Sequence, residues 1–508
     1  MPPTRTPSPD PGESPIRDRG DACPGALRLH LADDGRLARL RLPGGLLTAH
    51  QVEVLGDVAE RLADGNLSVT SRGNIELRGL GETCGGELSR LLADAGLLPS
   101  ERHERVRNVV ASPLATTDGL GHADVQLWAR ELDGLLCGAE WTTQLSGRFL
   151  FVLDDGRGDV AGLGGDVTLI AESGGTAVVR VAGRAFRIAA ADAPRAALAA
   201  AGAFLTAAHE AGNGAWRVRE LPPGRDVDVA GALEGAGVAV TRVAVPGAPT
   251  APQPPPAAPG ASTAVPGASG AVPQSPPVPQ SPTALPQPPT AVPGASVALP
   301  YGSDPVPEVP TALPETSAPK TSTPPTAPAV TPDVPVTRPP PPGVHGRAVL
   351  VNAPLGRVGV DAWRALLPLP GGELRVTPWR GFVLPGFADE GAARERLAAL
   401  RDAGYLTTPD SPWLGVGACT GRPGCAKSRA DVRADVVPGP GGLPVHWSGC
   451  ERRCGHPHGD WVDVLATGEG RYEVTVHAPG EEPARVTGRT LTETVTTART
   501  TTKTTATR

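Results

Sequence analysis

The chain has 508 residues, a formal net charge of −6, 59 prolines and 64 glycines. Without a block of basic residues, that balance argues against a nucleic-acid binder. The most apolar stretch, residues 195–212, is short, Ala-rich and broken by Thr206 and His209, so it reads as a buried helix and not as a membrane span.

Residues 1–20 are rich in Pro, Ser and Arg and hold no apolar run, so they are expected to be disordered and to carry no secretory signal, which places the protein in the cytoplasm. Residues 21–243 form a first block large enough for a core. Within it, Thr48 and Gln51 make a capping box, and Val52, Leu55, Val58, Ala59 and Leu62 recur at helical period. The stretch LSVTSRGNIELRGL (67–80) reads as strand, turn, strand about a Gly and Arg corner, and a second helix ends LADAGLL (92–98).

Residues 244–344 are low-complexity Pro, Ala, Ser and Thr, too poor in large apolar side chains to offset the entropy of ordering. They are expected to be a disordered linker thrown out of one compact body. Relative to a connection of ~12 residues, the extra length costs about 2 kcal/mol of closure entropy. The second block repeats the first: LRVTPWRGFVLPGF (374–387) is another strand corner and LRDAGYL (400–406) another helix end. It divides into residues 345–408 and a cysteine-bearing region, 409–484. The Thr-rich residues 485–508 are expected to be a disordered tail.

The two blocks keep one register. Thr377 matches Thr70 and Asp431 matches Asp124, both at an offset of 307 (377 − 70 and 431 − 124). At that offset Ser112 faces Cys419 and Asp118 faces Cys425. The pattern is a tandem duplication of an α+β unit in which the second copy alone carries the grouped thiols. Such a unit packs two-fold with its ligand site between the copies, so a monomer is expected.

Seven cysteines in a chain without an export signal suggest ligand or catalytic thiols in a reducing compartment. Cys23, Cys84 and Cys137 are isolated and read as small packed residues. Cys419 and Cys425 are paired as C-x5-C, and Cys450 and Cys454 as C-x3-C. A structural zinc favours pairs two to four residues apart within one short module, and the compartment disfavours disulfides. A four-thiolate iron–sulfur cluster fits better, because Gly-rich loops offer backbone N–H groups to its sulfurs.

C-x5-C followed by C-x3-C, a duplicated half and a T-x-R strand corner together resemble the nitrite/sulfite reductase superfamily. The resemblance implies two ferredoxin-like halves (25–98 and 345–408), a tetrapyrrole-binding region (99–243) and a 4Fe–4S cluster on Cys419, Cys425, Cys450 and Cys454. It also implies cations for a polycarboxylate macrocycle: Arg72, Arg78, Arg107 with its neighbour Asn108, Arg148 and Arg380. Where assimilatory sulfite reductases carry K-x-K, this chain has Arg148-Phe149-Leu150, and the second cysteine pair encloses Glu451-Arg452-Arg453 and is trailed by Gly455-His456-Pro457. These departures, and the acidic Gly-rich stretch 151–167, resemble the precorrin-3B synthase branch.

That branch implies an oxygen-dependent monooxygenase of aerobic cobalamin biosynthesis, acting on precorrin-3A with NADH as electron source and a mononuclear non-haem iron beside the cluster. An electron-donor protein is a possible partner. The sequence assigns no catalytic residue; His446, His456, His458 and Asp460 are the candidate iron ligands, and a supporting loop role fits them better. The alternatives are a siroheme-dependent sulfite or nitrite reductase and a non-catalytic 4Fe–4S electron carrier.

Overall fold

A computed structural model describes residues 21, 24–243, 339–457, 459–478 and 481–500. The N-terminal segment 1–20, Cys23, linker residues 244–338, His458 and residues 501–508 lie outside the described residues.

The first block opens with β1 (His30–Ala32), β2 (Gly35–Leu40), β3 (Leu46–Thr48), α1 (Ala49–Leu62), β4 (Asn66–Val69), β5 (Ile75–Leu80) and α2 (Gly85–Asp94). Helix α1 starts where its sequence directs: Thr48 Oγ1 accepts from the N–H of Gln51, and Gln51 Oε1 accepts from that of Thr48. Val52, Leu55, Val58 and Ala59 form its buried face.

The block continues with β6 (Val109–Ala111), α3 (Val125–Gly138), β7 (Phe151–Asp154), β8 (Val167–Glu172), β9 (Thr176–Val181), β10 (Arg184–Ala189), α4 (Ala193–Ala211), α5 (Val229–Gly235) and β11 (Thr241–Val243). The apolar stretch at 195–212 is indeed a packed helix, α4, with Ala196, Ala197, Ala200, Ala201 and Phe204 buried. Among the described residues no helix is long and apolar enough to cross a membrane.

The second block comprises β12 (Gly343–His345), β13 (Ala348–Asn352), β14 (Arg357–Gly359), α6 (Val360–Arg364), β15 (Glu373–Val376), β16 (Gly381–Pro385), α7 (Glu390–Asp402), β17 (Val416–Ala418), α8 (Val432–Asp435), β18 (Val445–Ser448), β19 (Trp461–Gly468), β20 (Arg471–His477), β21 (Ala484–Val486) and α9 (Leu491–Thr500).

These strands make four sheets in a mixed α+β fold. Two are antiparallel and run β1-β2-β5-β4-β14 and β12-β13-β16-β15-β3. Each takes its last strand from the other block: β14 pairs with β4, and β3 pairs with β15. One apolar core therefore draws on both, from Ala26 to Leu98 and from Val349 to Tyr405. The other two sheets, β11-β10-β9-β8-β7-β6 and β17-β18-β19-β20-β21, share a pattern: two parallel pairings (β6–β7–β8, β17–β18–β19), then antiparallel ones.

Local geometry repeats at the 307-residue offset. Thr70 N–H donates to Asn74 O and Thr377 N–H to Gly381 O, closing the same corner. Asp124 caps α3, and Asp431 caps α8.

Two boundaries differ from the sequence expectation. Residues 343 and 344, assigned to the linker, open strand β12, paired with β13. Residues 485–500, assigned to the tail, extend β21 and form α9. That helix buries Thr494, Val495, Ala498 and Arg499, and the Arg499 guanidinium donates to the carbonyls of Leu443, Gly439 and Leu414. Threonine-rich composition hid it, because the anchoring side chains are few.

Trp363 joins the two blocks. It is fully buried, donates from Nε1 to Val52 O at 2.7 Å and meets the Phe382 ring edge-on. Trp363→Ala should destabilise the fold by about 3–5 kcal/mol in urea unfolding; a loss below about 1 kcal/mol would show that the blocks do not depend on this contact.

Candidate functional site

The four grouped cysteines lie on two loops that leave adjacent parallel strands, β17 and β18. Cys419 follows β17 and donates its N–H to Trp447 O, extending the ladder. Cys450 and Cys454 follow β18. The loops are tied together by Arg429 N–H to Gly449 O, and Gly449 N–H points at Cys419 Sγ at 3.2 Å. Only glycine fits at 449: a Cβ there would stand 1.9 Å from Ser428 Oγ. Cys419, Cys425 and Cys450 are half-buried and Cys454 is exposed.

Burial pushes the Cys419 thiol up, a shift that the N–H groups of Gly449 and Gly421 only partly oppose and that the thiols of Cys454 and Cys450 reinforce. A group that takes thiolates here must displace that proton. Four cysteines on two glycine-rich loops, with the Gly449 N–H aimed at the Cys419 sulfur, are what a cluster needs, so the residues fit one.

The first block holds the loops from outside. At the β1–β2 turn, Asp33 Oδ2 accepts from Ala426 N–H at 2.5 Å, and Asp34 takes both arms of Arg78, each at 2.9 Å. Arg78 also donates to Gly424 O, beside Cys425.

On the other side the site is cationic. Arg433 Nε donates to Cys419 O at 3.1 Å, and Arg380 Nη2 to Gly455 O at 3.0 Å. Burial, then the charges of Arg357 and Arg380, lower the Arg433 pKa to about 10. His446, fully buried, meets Cys454 O with Nε2 at 3.0 Å, while its Nδ1 has no partner. Burial and the nearby Arg380 charge push its pKa down to about 3, so it is neutral.

The predicted macrocycle cations divide. Arg78 and Arg380 gather at the thiol loops. Arg72 is half-buried at the first strand corner, its N–H on Thr70 Oγ1. Arg148 is exposed and lies over the Trp216 ring at 4.8 Å. Arg107 departs from the expectation: it is buried and forked onto Asp133 at 2.6 and 2.7 Å, with a third bond to Leu97 O. Asn108 departs too. It is fully buried, linking Asn74 and Phe149 O, and is a core tie. Cys137, read as an isolated residue, sits beside the Arg107–Asp133 pair, where burial and then Asp133 raise its thiol pKa.

His456 stacks on Trp461, ring centroids 5.0 Å apart, and Asp460 is exposed. Sequence reasoning missed Arg433, Arg357 and the Asp33–Asp34 turn. Their role depends on long-range packing, and the repeat register around Asp431 was the one local signal near any of them.

The first block carries a counterpart of the cysteine site. Ser112 N–H donates to Leu153 O as Cys419 N–H does to Trp447 O, and His122 N–H donates to Asp155 O as Arg429 does to Gly449. In place of thiols stands an ionic network. Ser112 Oγ donates to Asp159 at 2.6 Å, and Arg157 forks onto Asp118 at 2.8 and 3.0 Å and also onto Asp155. Asp154, Asp155 and Asp159 bring ligand oxygens within 4.8 Å. Asp154, however, already accepts four backbone N–H groups, from residues 156, 158, 160 and 161.

Several known proteins share parts of this chain. Residues 30–94 match the family described as Nitrite/Sulfite reductase ferredoxin-like half domain. A ferredoxin–nitrite reductase of Leptolyngbya laminosa is 33% identical over 102 residues, 20% of this chain and 20% of its own. A precorrin-3B synthase of Sinorhizobium sp is 31% identical over 138 residues, 27% and 29% of the two chains. A sulfite reductase (NADPH) hemoprotein beta-component of Acidithiobacillus ferrooxidans is 36% identical over 98 residues, 19% and 17%. The chain thus spans less than a third of each of these relatives' length. The solved structure of the Mycobacterium tuberculosis NirA protein aligns with a TM-score of 0.51 at 15% identity, over 90% of this chain and 77% of that one, a likeness of fold.

Two outcomes test the site. Cys425→Ser should lose iron and acid-labile sulfide from the purified chain; full retention would mean that the ligand set is wrong. Asp159, pushed up to about 7 by burial and then by Asp154 and Asp155 against the Ser112 hydrogen bond, holds a proton in the folded state that the unfolded chain releases. Stability should therefore fall as pH rises from its ordinary value of 3.8 to about 7, and level off above. Asp159→Asn should flatten that slope in unfolding midpoints measured across the window; an unchanged slope would mean that Asp159 is ionised throughout.

Proposed function

We propose that the chain is an oxidoreductase of the precorrin-3B synthase kind. It would be a tandem duplication of ferredoxin-like halves with pseudo-two-fold packing, holding a 4Fe–4S cluster on Cys419, Cys425, Cys450 and Cys454. The reciprocal exchange of β3 and β14 and the corners repeated at 307 residues support the duplication.

The observation that carries the branch is Leu150. It is buried with Val110, Val152 and Val160, against Trp379 and Leu163, where a reductase would place the second cation of its K-x-K pair. An alkyl side chain in an apolar nest neither binds sulfite nor supplies protons to a multi-electron reduction.

The reaction on this reading is hydroxylation of a meso carbon of precorrin-3A with lactone closure by a ring acetate. One atom of dioxygen enters the macrocycle and the other leaves as water, with two electrons from NADH. When bound, the cluster supplies one-electron transfer. The chain's own part is to bind and orient: Arg72 and Arg148 offer charge to ring carboxylates, bidentate where the fork is accessible. Arg107 keeps its place in the Asp133 pair and holds the wall behind them.

A mononuclear non-haem iron belongs to the reading as well. Asp154 is committed to its own turn, Asp155 to Arg157 and one oxygen of Asp159 to Ser112, so the three are not assigned as its ligands. The protein would act in the cytoplasm as a monomer, served by an electron-donor protein. A siroheme-dependent sulfite or nitrite reductase is the alternative, drawn from the same relatives.

Acidified-acetone extraction of anaerobically purified protein, followed by incubation with precorrin-3A, NADH and oxygen, separates the two. The synthase predicts an extract without an iron tetrapyrrole and oxygen-dependent loss of precorrin-3A. A siroheme band in the extract would contradict it.

A further inference from the structure

We infer that Arg380 and Arg433 are positioning residues that compensate the charge of the group held by the four thiols and raise its reduction potential. This rests on the cluster reading above.

Each thiol loop has one of these arginines on a backbone carbonyl: Arg433 on Cys419 O, Arg380 on Gly455 O, the residue after Cys454. Neither forms an ion pair with a carboxylate among the described residues, whereas their neighbours do: Arg78 pairs with Asp34 and Glu76, and Arg357 with Asp64. Two half-buried guanidiniums without a carboxylate among the described residues, within electrostatic reach of each other and with Arg433 in reach of Cys419, leave a charge deficit beside the thiols.

The backbone shows that Arg380 is placed there at a cost. Its φ is +64°, a left-handed conformation costly for a side chain of this size. The same corner of the first block uses Gly73, φ +66° (380 − 73 = 307). Arg380 then passes two glycines with no room for a side chain: a Cβ on Gly356 would lie 2.6 Å from its Cδ, and one on Gly417 would lie 2.4 Å from its Nη1. Strain at the corner and clearance along the path deliver one cation to the second thiol loop.

An iron–sulfur cluster on four thiolates is an anion, and its reduction adds one negative charge. Fixed cations close by and partly shielded from solvent favour the reduced form. A substrate-binding role for Arg380 would instead leave the potential unmoved and weaken tetrapyrrole affinity.

The test is a dithionite titration of the full-length protein, carrying its iron and sulfide, followed by electron paramagnetic resonance. Arg433→Met and Arg380→Met should each shift the midpoint to more negative values, with a fall of about tenfold in the reduced-to-oxidised ratio at the wild-type midpoint. Arg433→Lys and Arg380→Lys, which keep the charge, should stay near wild type. Methionine variants with full iron and sulfide and an unmoved midpoint would overturn the inference while leaving the cluster reading intact. If the methionine variants fail to assemble, the lysine variants decide: an intact cluster near the wild-type midpoint supports charge compensation, and loss of iron from these too would overturn it. Wild-type protein that holds no iron and sulfide would overturn the cluster reading and this inference with it.

Discussion

The structure depends on an exchange of strands. Strand β3 of the first block completes the second block's sheet, and β14 of the second completes the first's. A sheet that lacked its borrowed strand would expose an unpaired edge, so neither half is complete alone. The exchange forces one shared core. It brings together parts of the chain more than 300 residues apart, which is how the β1–β2 turn comes to grip the loop that carries Cys425.

Within that frame the two blocks use one turn for opposite ends. After β7, four backbone N–H groups hold Asp154, Arg157 is forked onto Asp155 and Asp118, and Ser112 donates to one oxygen of Asp159. After β18, the turn is glycine-rich and partly exposed, and Arg380 and Arg433 beside it have no carboxylate partner among the described residues. The first arrangement pairs most of its own charges. The second leaves two cations without carboxylates, the setting that the proposed cluster and macrocycle, both anions, call for.

Much of this was legible in the sequence because it is local or periodic. The Thr48–Gln51 box, the helical stripe from Val52 to Ala59 and the corners at Thr70 and Thr377 follow from short-range chemistry. The alignment of Ser112 with Cys419 needed only the constant offset, and the two residues do occupy the same ladder position. What was not legible turns on partners distant in sequence. Arg107 looked like a ligand for an anion, but Asp133, 26 residues on and within α3, claims it. The tail's composition concealed α9, whose anchor is one arginine capping three carbonyls. The role of Arg433 depends on the charges of Arg357 and Arg380, which reach it through the fold.

The central claim is that four thiols of the second block hold an iron–sulfur cluster. Iron and acid-labile sulfide measured on anaerobically purified full-length protein test it most directly, with the electron paramagnetic resonance spectrum of the dithionite-reduced sample. About four irons and four sulfides per chain, with a reduced-cluster signal, is the predicted result. One zinc per chain and no sulfide would contradict it.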